Sequence, residues 1–191
     1  MRLENSFEVP AAPERAWELL MDVPRVVPCM PGAELTEVVD DSNWKAKMNV
    51  KVGPMALAFA TDVSRDLADE AARRVRLAAN ARETRGRGAA RATIESTLVS
   101  ADGGTRVEIV TDLSLTGPVA QYGRGMVEDV SSQLVGRFAQ CLESQLTAAP
   151  EQAQAAPAEA GQPVQGLSLA LAALRGAIAR ALRRLVGRGR T

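Results

Sequence analysis

Between residues 33 and 115 the apolar side chains recur at every second position, segment after segment, with no helical period between them. A period of two belongs to a strand with one face buried and one face solvated, so the middle of this chain has to be a sheet. The clearest segment is 43–52. Trp44, Ala46, Met48, Val50 and Val52 face one way, while Lys45, Lys47, Asn49 and Lys51 face the other. Gly53-Pro54 turns the chain, and Met55, Leu57, Phe59, Thr61 and Val63 continue on the returning strand. Residues 33–39, 73–81, 89–100 and 105–115 complete six consecutive strands, with Asp102-Gly103-Gly104 as a hairpin turn. Strands joined in this way predict an antiparallel meander.

The flanks of this run differ. Residues 2–9 alternate and predict a further strand. Pro13 and Glu14 then open a helix, proline because its missing N–H costs nothing in the first turn and glutamate because it complements the positive helix end. Ala16, Trp17, Leu20 and Met21 give that helix an apolar stripe, Pro24 restarts the chain into a second short turn, and residues 28–32 end it. After the sheet, Gly117-Pro118 breaks the pattern and residues 119–146 predict one long helix. Its buried face carries Tyr122, Met126, Val130, Leu134, Phe138, Cys141, Leu142 and Gln145. The expected fold class is α+β: a curved antiparallel sheet of about seven strands wrapped on a long helix, spanning residues 1–146.

Two segments follow this domain. Residues 147–166 are Ala, Pro, Gln and Gly with a few glutamates, the composition of a flexible linker, and 20 such residues would span on the order of 25 Å. Residues 167–187 predict a terminal helix. At 100° per residue, Leu167, Leu171, Leu174, Ile178, Ala181, Leu182 and Leu185 share one face, and Arg175, Arg180, Arg183 and Arg184 lie off it. No Asp or Glu follows Glu159, whereas six arginines do, so a formally neutral chain divides into an acidic domain and a basic tail. A nucleic-acid binder would carry its positive charge more uniformly. The basic polar face and aliphatic seam favour a helix lying on an anionic membrane surface, where each arginine contributes about 1 kcal/mol. Docking to a protein partner and folding back on the domain are the alternatives. The N-terminus is polar from the outset and no run of 18 apolar residues occurs, so neither a signal peptide nor a spanning helix is expected. The expected location is cytoplasmic, peripheral on the inner face of the cell membrane.

Catalytic chemistry finds little support. The sequence has no histidine, the commonest general base and metal ligand. Its only lysines, Lys45, Lys47 and Lys51, share one exposed strand face, and the carboxylates are expected on solvated faces. Cys29 and Cys141 are too few and too far apart for a zinc site and are expected as free buried thiols in a reducing compartment. No catalytic residue, metal site or covalent cofactor is assigned. What remains is the space where the long helix crosses the sheet. The faces meeting there carry Trp44, Met48, Leu57, Phe59, Leu113, Tyr122, Met126, Val130 and Phe138. These either fill a core or wall an adaptable apolar cavity.

Several motifs resemble one family. Pro28-Cys29-Met30-Pro31-Gly32-Ala33 is similar to a C-L-P-G-A segment, and Val50-Lys51-Val52-Gly53-Pro54 to a V-x-x-G-P hairpin. Gly103-Gly104-Thr105-Arg106-Val107 is similar to a G-G-T-x-V turn, and Gly117-Pro118-Val119-Ala120-Gln121-Tyr122-Gly123-Arg124 to a G-x-x-A-Q-x-G-x-R helix entry. With the element order, this resembles the carbon monoxide dehydrogenase CoxG family of the START-like, or SRPBCC, helix-grip superfamily. The resemblance covers residues 1–146. The chain departs from the family pattern in the strand at 55–60 and at Phe138-Ala139. The resemblance implies an accessory protein of a CO dehydrogenase-type molybdenum hydroxylase, recruiting that enzyme to the membrane and binding menaquinone, ubiquinone or a similar lipid in the cavity. Two other readings stay open: a recruitment adaptor with no ligand, and a small-molecule hydrolase or cyclase of the same superfamily.

Overall fold

The computed structural model describes residues 1–52, 55–121 and 123–148. All of these belong to the first of the two units into which the chain divides, Met1–Ala156. The Gly53-Pro54 turn, Tyr122, the linker from 149 onward and the basic tail lie outside the described residues.

Each alternating segment forms a strand. β1 (Arg2–Val9) is followed by α1 (Pro13–Met21), α2 (Val23–Val26) and a 3-10 turn (Val27–Cys29). Then come β2 (Ala33–Asp40), β3 (Asn43–Val52), β4 (Met55–Asp69), β5 (Arg74–Glu83), β6 (Ala89–Ala101) and β7 (Gly104–Thr116). β2 to β7 are a meander, and β1 pairs with β7, so the sheet order is β1-β7-β6-β5-β4-β3-β2, antiparallel at every step. Register shifts interrupt β2–β3 pairing twice and β4–β5 pairing once, between Arg65 and Leu67. Such bulges bend a strand and increase its twist, which gives the sheet its curvature.

The C-terminal region departs from the expected single helix over 119–146. Residues Gly117–Gln121 form a 3-10 turn, and α3 runs only over Arg124–Thr147. The cause is tertiary. Val119 is buried and its N–H donates to Arg87 O at 3.1 Å, which pins the 3-10 turn to the β5–β6 hairpin. Gly117 makes this possible with φ +73 and an approach to Gly88 that a Cβ would fill at 2.8 Å.

The expectation of two free thiols is overturned. Cys29 and Cys141 are joined in a disulfide, with Cα atoms 5.3 Å apart although 112 residues separate them in the chain. The 3-10 turn that carries Cys29 packs on the last turns of α3, where Gln145 Nε2 donates to Arg25 O at 3.3 Å and to Cys29 Sγ at 3.1 Å. Chain separation held no trace of that proximity.

Candidate functional site

Alternation delivers one set of side chains from every strand to the concave side, and the register aligns them in rows. One row is Trp44, Val63, Ala79, Ala92, Leu113, and the next is Ala46, Thr61, Ala81, Ala90, Leu115. Of these ten, only Trp44 is fully buried; the others are half-buried. Five alanines and a threonine put short side chains in the middle of the sheet, whereas interiors reach crystal-like density only when side chains interdigitate. Thr61 Oγ1 is itself buried with no hydrogen-bond partner among the described residues.

This small-residue band separates two apolar cores. The larger contains Val9, Ala16, Trp17, Leu19, Val26, Cys29, Val75, Leu98, Val107, Leu142 and Leu146, with Phe7 and Phe138 packed against it edge to face at 6.0 Å. The smaller contains Leu57, Phe59 and Val119, with Met48, Val50, Ala81, Leu115 and Val130 packed around it. Between Val130 and Phe138, α3 presents the half-buried Ser131, Leu134 and Val135.

The predicted wall residues are therefore not one surface. Leu57 and Phe59 are buried in the smaller core, which Met48 and Val130 border, and Phe138 belongs to the larger core. Leu113 is half-buried at the end of the alanine row. Trp44 is buried, with the Arg65 guanidinium carbon 5.3 Å from its ring centre. Met126, expected on the buried face, is 43% exposed. It lies in the first turn of α3, one turn before Val130, the α3 residue that packs on the smaller core. Tyr122 and every predicted membrane-contact residue lie outside the described residues.

Among the described residues, none of the predicted wall residues lines either of two grooves on the surface. A groove of about 530 Å³ between β1 and α3 is lined by Arg2, Leu3, Glu4, Asn5, Arg124, Glu128, Ser131 and Ser132. Its charges are internally paired, Arg2 with Glu4 at 2.9 Å and Arg124 with Glu128 at 2.7 Å. One of about 190 Å³ lies by the β6–β7 hairpin, lined by Glu8, Val9, Pro10 and residues 101–105.

Sequence reasoning missed two inward charges. Arg65 continues the phase of Leu57, Phe59, Thr61 and Val63 on β4, and Glu83 continues that of Val75, Leu77, Ala79 and Ala81 on β5. A charge in the core-facing phase of a strand was the available signal. Glu83 is buried, against the expectation that the carboxylates are solvated. Its Oε2 accepts from Arg87 N at 3.0 Å and Arg85 N at 2.8 Å. The N–H of Arg87 is the largest influence on its acidity and outweighs burial, which acts the other way; Arg85 N adds to it, so the carboxyl sits below its usual range. The group organises the β5–β6 turn. Among the described residues no set of His, Cys, Asp and Glu is placed to hold a metal, and no helix is long and apolar enough to cross a membrane.

The family model for CoxG of carbon monoxide dehydrogenase matches residues 6–147. Among solved structures, a conserved protein from Geobacillus kaustophilus is 20% identical with a TM-score of 0.68, covering 76% of this chain and 95% of that one. The Zhui aromatase/cyclase from Streptomyces sp. R1128 is 19% identical with a TM-score of 0.54, covering 85% and 99%. A START superfamily protein from Mycobacterium smegmatis is 16% identical with a TM-score of 0.50, covering 76% and 96%. At such identities these likenesses show the fold, which is START-like. No curated protein matches the chain.

Proposed function

The chain belongs to the carbon monoxide dehydrogenase CoxG family, and from that premise we propose that it is a non-catalytic accessory protein that carries an apolar ligand between a membrane and a CO dehydrogenase-type molybdenum hydroxylase. The observation that carries the reading is the half-buried alanine band between two separate cores, in the part of the sheet that a filled domain would pack most densely. A flat apolar molecule would complete that packing. A respiratory quinone, menaquinone or ubiquinone, has the required character and resides in the bilayer. The basic tail, with Leu167, Leu171, Leu174, Ile178, Leu182 and Leu185 on one face and Arg175, Arg180, Arg183 and Arg184 off it, would hold the domain at the anionic inner surface. The acidic domain would dock the enzyme.

The aromatase/cyclase neighbour keeps an enzyme reading in view, and Glu83 counts against it. Glu83 is the buried carboxyl of the described domain, and one held below its usual range is ionised at neutral pH, with Oε2 already accepting two backbone N–H groups. It makes a poor general acid. A recruitment adaptor without ligand is favoured by one finding, that the surface grooves avoid the predicted wall. Extraction decides between them. The full chain, purified from cells with their membranes present and extracted with organic solvent, should yield quinone by mass spectrometry at close to one per protein. An extract without quinone or another lipid leaves the adaptor. Separately, removal of residues 160–191 should abolish sedimentation with anionic liposomes, and retained sedimentation would remove the tail from the proposal.

A further inference from the structure

Of the side chains that β1 to β7 turn toward the concave side, two carry charge, and Glu83 is committed to its own turn. The other is Arg65. It is half-buried, and no carboxylate among the described residues lies within ion-pair distance of it. Its guanidinium is instead held by neutral groups. Nη1 donates to Met21 O at 3.2 Å, the carbonyl of the last residue of α1, and Nη2 donates to Asp41 O at 2.6 Å in the β2–β3 turn. The Trp44 ring lies against it, with Cζ 5.3 Å from the centroid. A helix C-terminus and an aromatic face both attract a cation, so these contacts fix the group without neutralising it.

A guanidinium has five N–H donors; the two carbonyls use two, and Nη1 also reaches Met21 Sδ at 3.9 Å, which leaves at least two. Arg65 also borders the alanine band: Val63, two residues along β4 on the same side, pairs Trp44 on one flank and Ala79 on the other. We propose that Arg65 anchors the oxygen-bearing end of the ligand, donating to a ring carbonyl while the apolar body lies over Ala46, Ala79 and Ala92. The proposal rests on the carrier reading above and adds to it the residue that would distinguish a ring bearing a carbonyl at one edge from a plain hydrocarbon of the same shape. Charge-assisted hydrogen bonds formed away from water are the strong ones, and a fork already held in place loses little freedom on making another.

Two probes of matched shape test it by equilibrium dialysis against the full chain: 2-methyl-1,4-naphthoquinone and 2-methylnaphthalene. Arg65→Met should weaken the quinone at least tenfold and leave the hydrocarbon within twofold. Arg65→Lys, which keeps the charge and loses the fork, should fall between. Equal weakening of both probes would make Arg65 a structural brace and overturn the anchor, as would unchanged quinone binding. If the unsubstituted protein binds the hydrocarbon as tightly as the quinone, the cavity stands and the anchor fails; if it binds neither, the carrier reading fails with it.

Discussion

The two ends of the concave face are built on different plans. At one end α1, α2, the 3-10 turn and the last turns of α3 close over β1 and β5–β7, with eleven buried core residues and the Cys29–Cys141 disulfide. At the other, three buried residues, Leu57, Phe59 and Val119, meet one helix residue, Val130. Burying a large aliphatic or aromatic side chain contributes about 1.5–3 kcal/mol, so the first end holds the fold and the second contributes a minor share. The same helix thus has a C-terminal half packed into the large core and an N-terminal half held by Val130 and by polar contacts to β1, where Asn5 Nδ2 donates to Ser131 Oγ at 3.0 Å and Arg124 Nη2 to Arg2 O at 3.3 Å. The carrier proposed above would need such a division, because the elements that move are drawn from the less stable part of a structure.

Truncating one leucine at each end is the most direct way to break this comparison. Leu142 is 1% exposed within the large core, and Leu57 is 4% exposed within the small one. Large-to-small core changes cost about 2–5 kcal/mol, and the figure depends on how far the site can collapse. Leu142→Ala should fall at the upper end of that range and Leu57→Ala at the lower, in urea unfolding followed by circular dichroism. Equal losses would mean that the small core is as constrained as the large one.

The disulfide comes next in size. Closing a loop of this length restricts the unfolded chain, and natural disulfides are worth about 2–4 kcal/mol. The double substitution Cys29→Ala, Cys141→Ala should lower the melting temperature, and reductant should then have no further effect on the variant while lowering that of the parent. Hydrogen exchange should rise in α2 and the last turns of α3 and stay unchanged in β3 and β4. A uniform rise over the whole domain would show the two ends to be one cooperative unit. Cytosolic thiols are normally kept reduced, so the state of this pair in cells also bears on the expected cytoplasmic location.

How much of this was legible in the sequence follows from what each feature depends on. The strands were legible because a period of two and Gly-rich turns are local: 43–52 and the Asp102-Gly103-Gly104 hairpin stand as read. β4 and β5 run further than expected because their inward phase continues through charged residues, Arg65 and Glu83, where an apolar alternation stops. The break before α3 depends on Val119 meeting Arg87, and the disulfide on the 3-10 turn meeting α3; neither leaves a local signal. At the site, alternation placed Trp44, Leu57 and Phe59 on one face, but did not show that Leu57 and Phe59 pack into a core and Trp44 is buried beside Arg65 while Ala79 and Ala92 stay half-buried. A side chain's size was visible, and the distance to whatever lies opposite was not.

The smallest expected effect concerns what stabilises the lightly packed end. Glu83 pairs across the sheet with Phe59 and organises residues 85–87, whose Arg87 carbonyl receives Val119 N. Hydrogen bonds from Arg87 N and Arg85 N lower the Glu83 pKa from the ordinary 4.5. A carboxyl with a depressed folded-state pKa stabilises the fold above its unfolded value, and that contribution is lost as pH falls through the folded value. Glu83→Gln should therefore lower the urea midpoint at pH 7, and the gap from the parent should narrow only below pH 4.5. In the variant, exchange at Val119 and in the first turns of α3 should quicken while Leu142 and its neighbours keep their protection. A gap that persists unchanged to pH 2 would assign the loss to shape and not to charge. The small end would then be held by packing after all, and the contrast between the two ends would be one of degree.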